Sequence, residues 1–252
     1  MVVNKSLGWR KILAFLLTPT VIVFSGLPTL VEAQPRPKQQ VSISFPRGRD
    51  RGAPARSFGT GSRGPICDDE LVRPPLTALM PKNNVGTSVG PNPTVYLYVP
   101  ETSDKQAEFV LVDLTNRRFL YETTFQLSGT PGIIKLTLPK TVELKPGSHY
   151  QWHFGVICDP QDQSKNKVLQ GFLERTTLSK EQELQLEEAD EPLEQAKVYA
   201  TAGVWSETLT IIAQLRESNP KAWEELLNSV DLEEIAPNPI FDCCKLDNQA
   251  QK

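Results

Sequence analysis

The sequence predicts a mainly β protein with α: an immunoglobulin/fibronectin-like antiparallel β-sandwich followed by a small C-terminal helical region. Three observations support this fold class. Short β-rich runs recur between residues 94 and 177, a tyrosine-corner sequence lies among them, and the apolar spacing becomes helical after Ser179. Several short strands with frequent turn residues between them are typical of a sandwich.

The predicted strands alternate their side chains between two faces. In the first run Val95, Leu97 and Val99 alternate with two tyrosines, which gives that strand two chemically different faces. Asn-Pro, Pro-Gly and Asp-Pro pairs lie between the runs and indicate turns. The predicted strands are Thr94–Val99, Glu108–Asp113, Phe119–Leu127, Gly132–Leu138, His149–Cys158 and Val168–Thr177.

The segment 144–150 has the pattern L-x-P-G-x-x-Y of a tyrosine corner. In such a corner the tyrosine hydroxyl bonds to the backbone a few residues upstream, and the leucine fills the core. Tyr150, Trp152 and Phe154 then share one face of the strand that follows. The residues with this structural role are Leu144, Pro146, Gly147, Tyr150 and Trp152. They indicate a fold and say nothing about a ligand.

Helices are predicted from Ser179 onward. Ser179 and Gln182 have the spacing of a capping box, so an acidic helix begins there. Pro192 opens the next helix, because proline is tolerated in a first helical turn. We expect Ser206 to cap a further helix and Asn219 to precede the last one. A helical region this small is expected to pack on the sandwich.

The chain is expected to be exported. Basic residues near the N-terminus precede the apolar stretch Ile12–Leu30, and small residues at Val31 and Ala33 fit a signal-peptidase site. Cleavage is therefore expected before Gln34, which predicts a periplasmic or extracellular protein. The alternative is an uncleaved anchor, in which case this segment is the chain's contact with the membrane.

Charge and composition divide the remaining chain. Residues 34–64 hold seven basic residues and one acidic residue, a net charge of +6, whereas residues 178–252 hold six basic and sixteen acidic residues, a net charge of -10. We divide the chain into a signal peptide (1–33), a basic Gly/Pro/Arg-rich disordered arm (34–64), a β-sandwich domain (65–177), an acidic helical region (178–240) and a tail (241–252).

Composition also disfavours several functions. With 27 Lys+Arg against 30 Asp+Glu, the chain has no general excess of positive charge for nucleic-acid binding. His149 and His153 lie on one face of a predicted strand about 13 Å apart, too far to share a metal ion. No serine or cysteine has a recognisable histidine partner. We therefore predict no catalytic residues, no metal site and no cofactor.

The four cysteines are disulfide candidates in an exported protein, and they allow three connectivities. We predict a Cys67–Cys158 bond, which ties the end of the arm to a core strand. A bond between the adjacent Cys243 and Cys244 is strained, because neighbouring Cα atoms are about 3.8 Å apart. Whether these two are paired stays open.

Two sets of residues are candidates for a binding surface. Tyr96 and Tyr98 point outward if the aliphatic face of their strand is inward, where they can stack on a sugar or a partner. If the C-terminal helices cover this sheet instead, the two tyrosines are packing residues, and this is the interpretation that we favour. The second set is the basic arm, with Arg47, Arg49, Arg51 and Arg56, which suits an anionic polymer or lipid headgroups if it is more than a linker.

Several motifs together resemble a known family. They are R-G-A-P-x-R-x-x-G-x-G-x-R-G-x-x-C at Arg51–Cys67, L-T-A-L-x-P at Leu76–Pro81, P-G-I-I at Pro131–Ile134, Y-x-W-x-F-x-x-x-C at Tyr150–Cys158 and Y-A-x-x-G-x-W at Tyr199–Trp205. Their order and wording resemble the secreted cyanobacterial proteins catalogued as domain of unknown function 928. The resemblance covers nearly all of the chain after about residue 47. It implies a cyanobacterial envelope or exported protein and supplies no catalytic residues.

These inferences favour a non-catalytic exported binding or structural module whose partner is an unknown protein or an anionic envelope polymer. Two alternatives stay open: an envelope-polymer hydrolase with an unrecognised site, and a carbohydrate-binding accessory protein. A deep pocket with converging polar groups favours the hydrolase. An exposed row of aromatic rings favours the sugar, and a broad apolar patch favours a protein partner.

Overall fold

A computed structural model of the protein describes residues 42–47, 67, 74–103 and 106–242, all within one compact unit, Val41–Lys252. The predicted signal peptide, Arg49, Arg51, Arg56 and the Cys243–Cys244 pair lie outside these residues. In the described part the protein is mainly β, with nine strands in two mixed sheets and four helices. The strands are β1 (Thr77–Ala78), β2 (Val85–Ser88), β3 (Thr94–Val99), β4 (Gln106–Asp113), β5 (Arg118–Gln126), β6 (Gly132–Thr137), β7 (His149–Val156), β8 (Lys167–Arg175) and β9 (Ile240–Phe241).

The two sheets contain four and five strands. The smaller sheet has the order β1-β3-β6-β9 and the larger one the order β2-β8-β7-β4-β5. Most neighbours are antiparallel, but β2 pairs with β8 and β6 pairs with β9 in parallel. The prediction of purely antiparallel sheets is therefore wrong at these two edges. The strand order is compatible with an immunoglobulin-like layout, because the chain before β3 contributes one short strand to each sheet.

The core lies where the inward faces of both sheets meet. Phe109, Leu111, Trp152 and Phe154 are fully buried in one cluster with residues of the smaller sheet. The phenyl ring of Phe109 stacks at 6.2 Å, centroid to centroid, on the indole of Trp152. This alternation of buried and half-buried positions along β4 and β7 follows from the two-residue period of a strand.

The tyrosine corner is present as predicted. The backbone N–H of Lys145 donates to the Tyr150 hydroxyl at 2.8 Å. Leu144 and Tyr150 are both buried, whereas Pro146 and Gly147 are exposed in the turn. Gly147 has a φ of 73°, a left-handed conformation that favours glycine. The Tyr150 side chain and the turn at Gly147 therefore fix the direction in which the chain begins β7.

Four helices follow β8: α1 (Lys180–Glu188), α2 (Pro192–Thr201), α3 (Trp205–Gln214) and α4 (Pro220–Ser229). Ser179 and Gln182 form the predicted capping box at the start of α1. Asn219 caps α4 by accepting from the Ala222 N–H. The prediction for Ser206 is wrong: Val204 is the N-cap of α3, and Ser206 is buried inside the helix, where its hydroxyl donates to the Thr94 carbonyl at 3.4 Å. None of the described helices is long and apolar enough to cross a membrane.

Helix α3 attaches the helical region to the sheets. The indole N–H of Trp205 donates to the Leu79 carbonyl at 2.9 Å, and Trp205 is buried. The Glu207 carboxylate accepts from the Ser88 hydroxyl at 2.8 Å and from the Val89 and Gly90 N–H groups at 3.1 and 2.9 Å. One acidic side chain therefore holds the whole turn after β2. The sequence pattern gave no signal for this role of Glu207.

The arm is predicted to be largely extended or disordered, and its residues 42–47 lie against the helical region. Ile43 and Phe45 are buried in the core cluster, 3% and 7% exposed, although the arm's composition predicts too little apolar surface for ordering. Two apolar side chains at alternate positions are enough to hold this segment on the protein, because Trp205 and α4 provide a surface against which they pack. The phenyl ring of Phe45 lies edge-on against Trp205, with centroids 4.9 Å apart.

The predicted disulfide bond is present. Cys67 and Cys158 are joined, with Cα atoms 5.2 Å apart and 91 positions between them in sequence. Cys158 lies two residues beyond the end of β7. The bond therefore attaches the segment before the first strand to the central part of the larger sheet.

Candidate binding face

The tyrosines predicted as a possible binding surface are buried. Tyr96 and Tyr98 are each 3% exposed, because β3 is covered on both faces. The Tyr96 hydroxyl bonds to Thr210 of α3, and burial raises the pKa of Tyr96 above its ordinary value. The surface role of these two residues is therefore wrong, and Tyr96 is a packing residue that lies against α3. Strand periodicity separates the two faces but does not show which of them a later helix covers.

Among the arginines predicted for binding, Arg47 lies within the described residues and is exposed. It follows the docked pair Ile43 and Phe45, so its position is tied to the helices. Arg49, Arg51 and Arg56 lie outside the described residues. A binding role of the basic arm stays a prediction.

A different surface emerges on the larger sheet. Strands β4, β7 and β8 bury every second side chain inside, and the intervening side chains point to the opposite face, where they are half-buried or exposed. The helical region contacts the strands through α3, on β2 and β3, so it leaves this face open. We name it the outer sheet face; its residues are Glu108, Val110, Val112, Phe119, Glu122, Gln151, His153, Val168, Gln170 and Phe172.

Register places these residues in rows across four strands. One row runs Phe119, Val112, Gln151 and Phe172, and a second runs Glu122, Val110, His153 and Gln170. Strands about 4.8 Å apart make each row about 14 Å long. The amides of Gln151 and Gln170 bond to each other at 3.2 Å across the two rows. The two rows therefore form a continuous patch of apolar, amide and charged groups.

Phe119 is the most exposed apolar residue of this face. Its side chain is 76% exposed, and it lies opposite Val112 beside a register shift between Leu111 and Val112. Such a bulge adds a residue to one strand and turns its neighbours. The irregularity of the β4–β5 pair therefore places a phenyl ring at the rim of the patch. Val168, on the other side, is 50% exposed.

The ionisable groups of the patch respond to their partly apolar surroundings. Burial raises the pKa of the Glu108 carboxyl above its ordinary value, and the negative charge of Glu122 raises it further. Burial lowers the pKa of His153 below its ordinary value. Both shifts favour the neutral form, since a charged group loses solvation at this surface. The acidic groups of the face lie on its β4–β5 side.

The outer sheet face can bind another molecule through three kinds of non-covalent contact. Its apolar side chains can be buried by a partner, its amides donate and accept hydrogen bonds, and its two carboxylates attract a cation. His149 lies beside it on β7, 3.8 Å from the Glu174 carboxylate. Within the described ranges, no three His, Cys, Asp or Glu side chains are grouped so as to hold a metal ion.

The sequence contains one signal for this face. Phe109 to Val112 is an uninterrupted apolar run, so the strand has apolar groups on both faces. An antiparallel strand with one solvated face ordinarily alternates apolar and polar residues. Val110 and Val112 are therefore apolar where solvent-facing residues are expected.

In its described residues the fold is that of a mainly β protein of two mixed sheets, with a helical region packed on one side and a sheet face on another that none of the described helices covers. The chain belongs to the family described as Domain of Unknown Function (DUF928), whose model matches residues 58–240. Among solved structures, the crystal structure of the C-terminal domain of wzt matches with a TM-score of 0.25 and 20% identity, over 38% of this chain and 65% of that chain. No curated protein sequence matches the chain.

Proposed function

We propose that this protein is an exported, non-catalytic binding module that contacts a partner protein through the outer sheet face. The observation that carries the proposal is the apolar character of a sheet face that no described helix covers. Phe119 and Val168 are 76% and 50% exposed, and Val110, Val112 and Phe172 lie between them. Grouped apolar side chains at a surface are typical of protein interaction sites.

The charges of the face indicate the chemistry of the partner. Glu108 and Glu122 lie on adjacent strands of the same face, and the charge of Glu122 acts on Glu108. A partner with an apolar surface and a Lys or Arg beside it satisfies both features. Charge complementarity of this kind steers association and suppresses wrong partners.

The same acidic residues disfavour pairing between two copies at this edge. Strand β5 is the last strand of the larger sheet, and Glu122 lies at its centre. Antiparallel pairing of β5 with β5 of a second copy about that centre places two Glu122 side chains opposite each other. Like charges directly opposite one another destabilise a strand pair. This repulsion opposes edge pairing of two copies, whereas a basic partner protein is attracted by the same carboxylates.

The fold class and location belong to the same proposal. The tyrosine corner at Tyr150 and the division of the first strands between two sheets support an immunoglobulin-like sandwich. The Cys67–Cys158 bond supports export, because disulfides persist in oxidising compartments. The basic start and apolar stretch of residues 1–33 support it independently.

The test compares a variant of the face with a matched variant elsewhere. Phe119→Ser with Glu122→Lys changes the outer sheet face, and Leu184→Ser with Glu183→Lys makes the same changes on α1, where Leu184 is 59% exposed. Each immobilised protein is incubated with solubilised envelope proteins of the native host and, separately, with protein-free envelope polysaccharide. Bound proteins are identified and quantified by mass spectrometry.

We expect one basic protein to bind the wild type and the α1 variant, and to lose about tenfold or more in affinity for the face variant, roughly 1.4 kcal/mol. Its retention falls with rising salt, because the acidic groups are at the surface. Equal binding to all three proteins overturns the proposal. Binding of polysaccharide alone replaces it with the carbohydrate-binding alternative.

A further inference from the structure

The segment 42–47 lies on the helical region as an extended peptide lies on a receptor. Ile43 and Phe45 are buried, and Ser42, Ser44, Pro46 and Arg47 alternate with or follow them on the exposed side. Burial of every second residue is the arrangement by which extended peptides are recognised. The helical region therefore contains a receiving groove, which we define by Trp205, Glu225 and Ser229.

The groove holds both the backbone and the side chains of this segment. The Ile43 N–H donates to the Glu225 carboxylate at 3.2 Å, and the Phe45 N–H donates to the Ser229 hydroxyl at 3.0 Å. Glu225 and Ser229 are four residues apart on α4, so they share one face of that helix. The Ser229 hydroxyl in turn donates to the Leu226 carbonyl at 2.7 Å, which orients it to accept.

None of these contacts depends on which chain supplies the segment. Nineteen residues, 48–66, separate Arg47 from Cys67, where the disulfide attaches the chain to the larger sheet. A segment of that length spans up to about 65 Å when extended. A unit of about 200 residues has a radius of gyration near 16 Å. The segment of one copy is therefore long enough to reach the groove of a neighbour.

We propose that residues 42–47 of one copy dock into the Trp205–Glu225–Ser229 groove of a second copy, so that the protein forms arm-exchanged dimers. Exchange of an identical element is a low-cost route to a dimer, because every contact of the closed monomer is kept. The connecting segment gives the groove a high effective concentration of its own arm. The closed monomer therefore dominates in dilute solution, and exchange grows with protein concentration.

The test uses two complementary variants of a chain that begins at Gln34. The arm variant carries Ile43→Asp and Phe45→Asp, which leaves its groove intact. The groove variant carries Ser229→Arg, which leaves its arm intact and obstructs the position of the Phe45 backbone. Circular dichroism and thermal melting confirm that each variant is folded, and sedimentation velocity then follows each one alone and the two mixed.

We expect each variant alone to sediment as a monomer and the mixture to shift to a dimer, since one intact arm then meets one intact groove. A peptide of residues 42–47 added to the mixture reverses the shift, and the same peptide with Phe45→Ser does not. If the mixture stays monomeric at the highest protein concentration measured, the proposal is overturned. If the peptide nevertheless binds the arm variant, the groove is real and serves only its own chain.

Discussion

Gly171 of β8 lies directly opposite Trp152 of β7, and the indole ring fills the space that a side chain at residue 171 requires. A Cβ atom added at this position would lie closer to Cζ2 of the indole than real Cβ atoms approach their neighbours. Trp152 is completely buried, so its ring cannot move toward solvent without displacing other core side chains. The packing of this core tryptophan therefore depends on the absence of a side chain across the strand pair.

The first prediction follows from this contact. Gly171→Ala forces the indole or the strand to shift and is expected to lower the free energy of unfolding by about 1–3 kcal/mol. Gly155→Ala is the matched control, because a Cβ there lies at an ordinary 3.6 Å from Val168. Urea denaturation measures both. Equal stability of the two variants contradicts the packing described for Trp152.

The second prediction concerns the tyrosine corner. Tyr150→Phe keeps the ring and removes the hydroxyl that accepts the Lys145 N–H. The loss of this bond is expected to cost about 1–3 kcal/mol of unfolding free energy. Chemical denaturation checks the value. A neutral result shows that water replaces the hydroxyl at no cost and that the corner does not stabilise the fold.

The third prediction concerns the disulfide. Cys158→Ser opens a loop of 91 residues and is expected to cost at most about 4–5 kcal/mol on the chain-entropy model. Thermal melting without reductant should show a lower Tm for Cys158→Ser than for the wild type. The control is a double variant, Cys243→Ser with Cys244→Ser, at two cysteines outside the described residues. Peptide mapping of the unreduced wild type should recover the Cys67–Cys158 cross-link. A map with Cys67 unpaired contradicts the bond.

The fourth prediction concerns pH. Burial holds the pKa of His153 below its ordinary value near 6.5, so the unfolded chain binds this proton more readily than the folded one. The stability from the neutral imidazole is present above about pH 6.5 and is lost as pH falls through the lowered folded-state pKa. His153→Gln should flatten the decline of stability over this range. Tm of the wild type and of the variant, measured at a series of pH values, checks this; parallel curves contradict it.

The fifth prediction concerns processing. Protein isolated from the native host should begin at or near Gln34, because Val31 and Ala33 are the small residues that a signal peptidase recognises. N-terminal sequencing measures this directly. Recovery of a membrane-bound product that still begins with Met1 shows an uncleaved anchor instead.

The features that could be predicted from the sequence are those decided by neighbouring residues. Strand β3 was predicted with its observed bounds because an Asn-Pro turn precedes an unbroken two-residue period. The capping box at Ser179 and the corner at Tyr150 also depend on residues within a few positions of each other. Local chemistry specifies such features wherever they occur.

The structural features that the sequence does not predict depend on contacts between residues far apart in the chain. Strands β1 and β9 have two residues each, too few for any period, and they exist because β3 and β6 offer them edges. The start of α3 is fixed by the bond of Trp205 to Leu79, which overrides the capping preference of Ser206. In the candidate site, the strand period predicts that Val110 and Val112 share the face opposite to the core. It does not predict that the described helices leave this face uncovered.

Strand β9 has a consequence for the order in which the protein assembles. Ile240 and Phe241 complete the smaller sheet beside Ile133 and Ile134, and the Phe241 ring lies over Gly132. Along the chain, the four helices therefore lie between β8 of the larger sheet and β9 of the smaller sheet. A ribosome or a translocation pore releases the chain from its N-terminal end, so this sheet cannot close until more than a hundred residues after β6 have emerged. The smaller sheet therefore gains its last strand only after all four helices have been released.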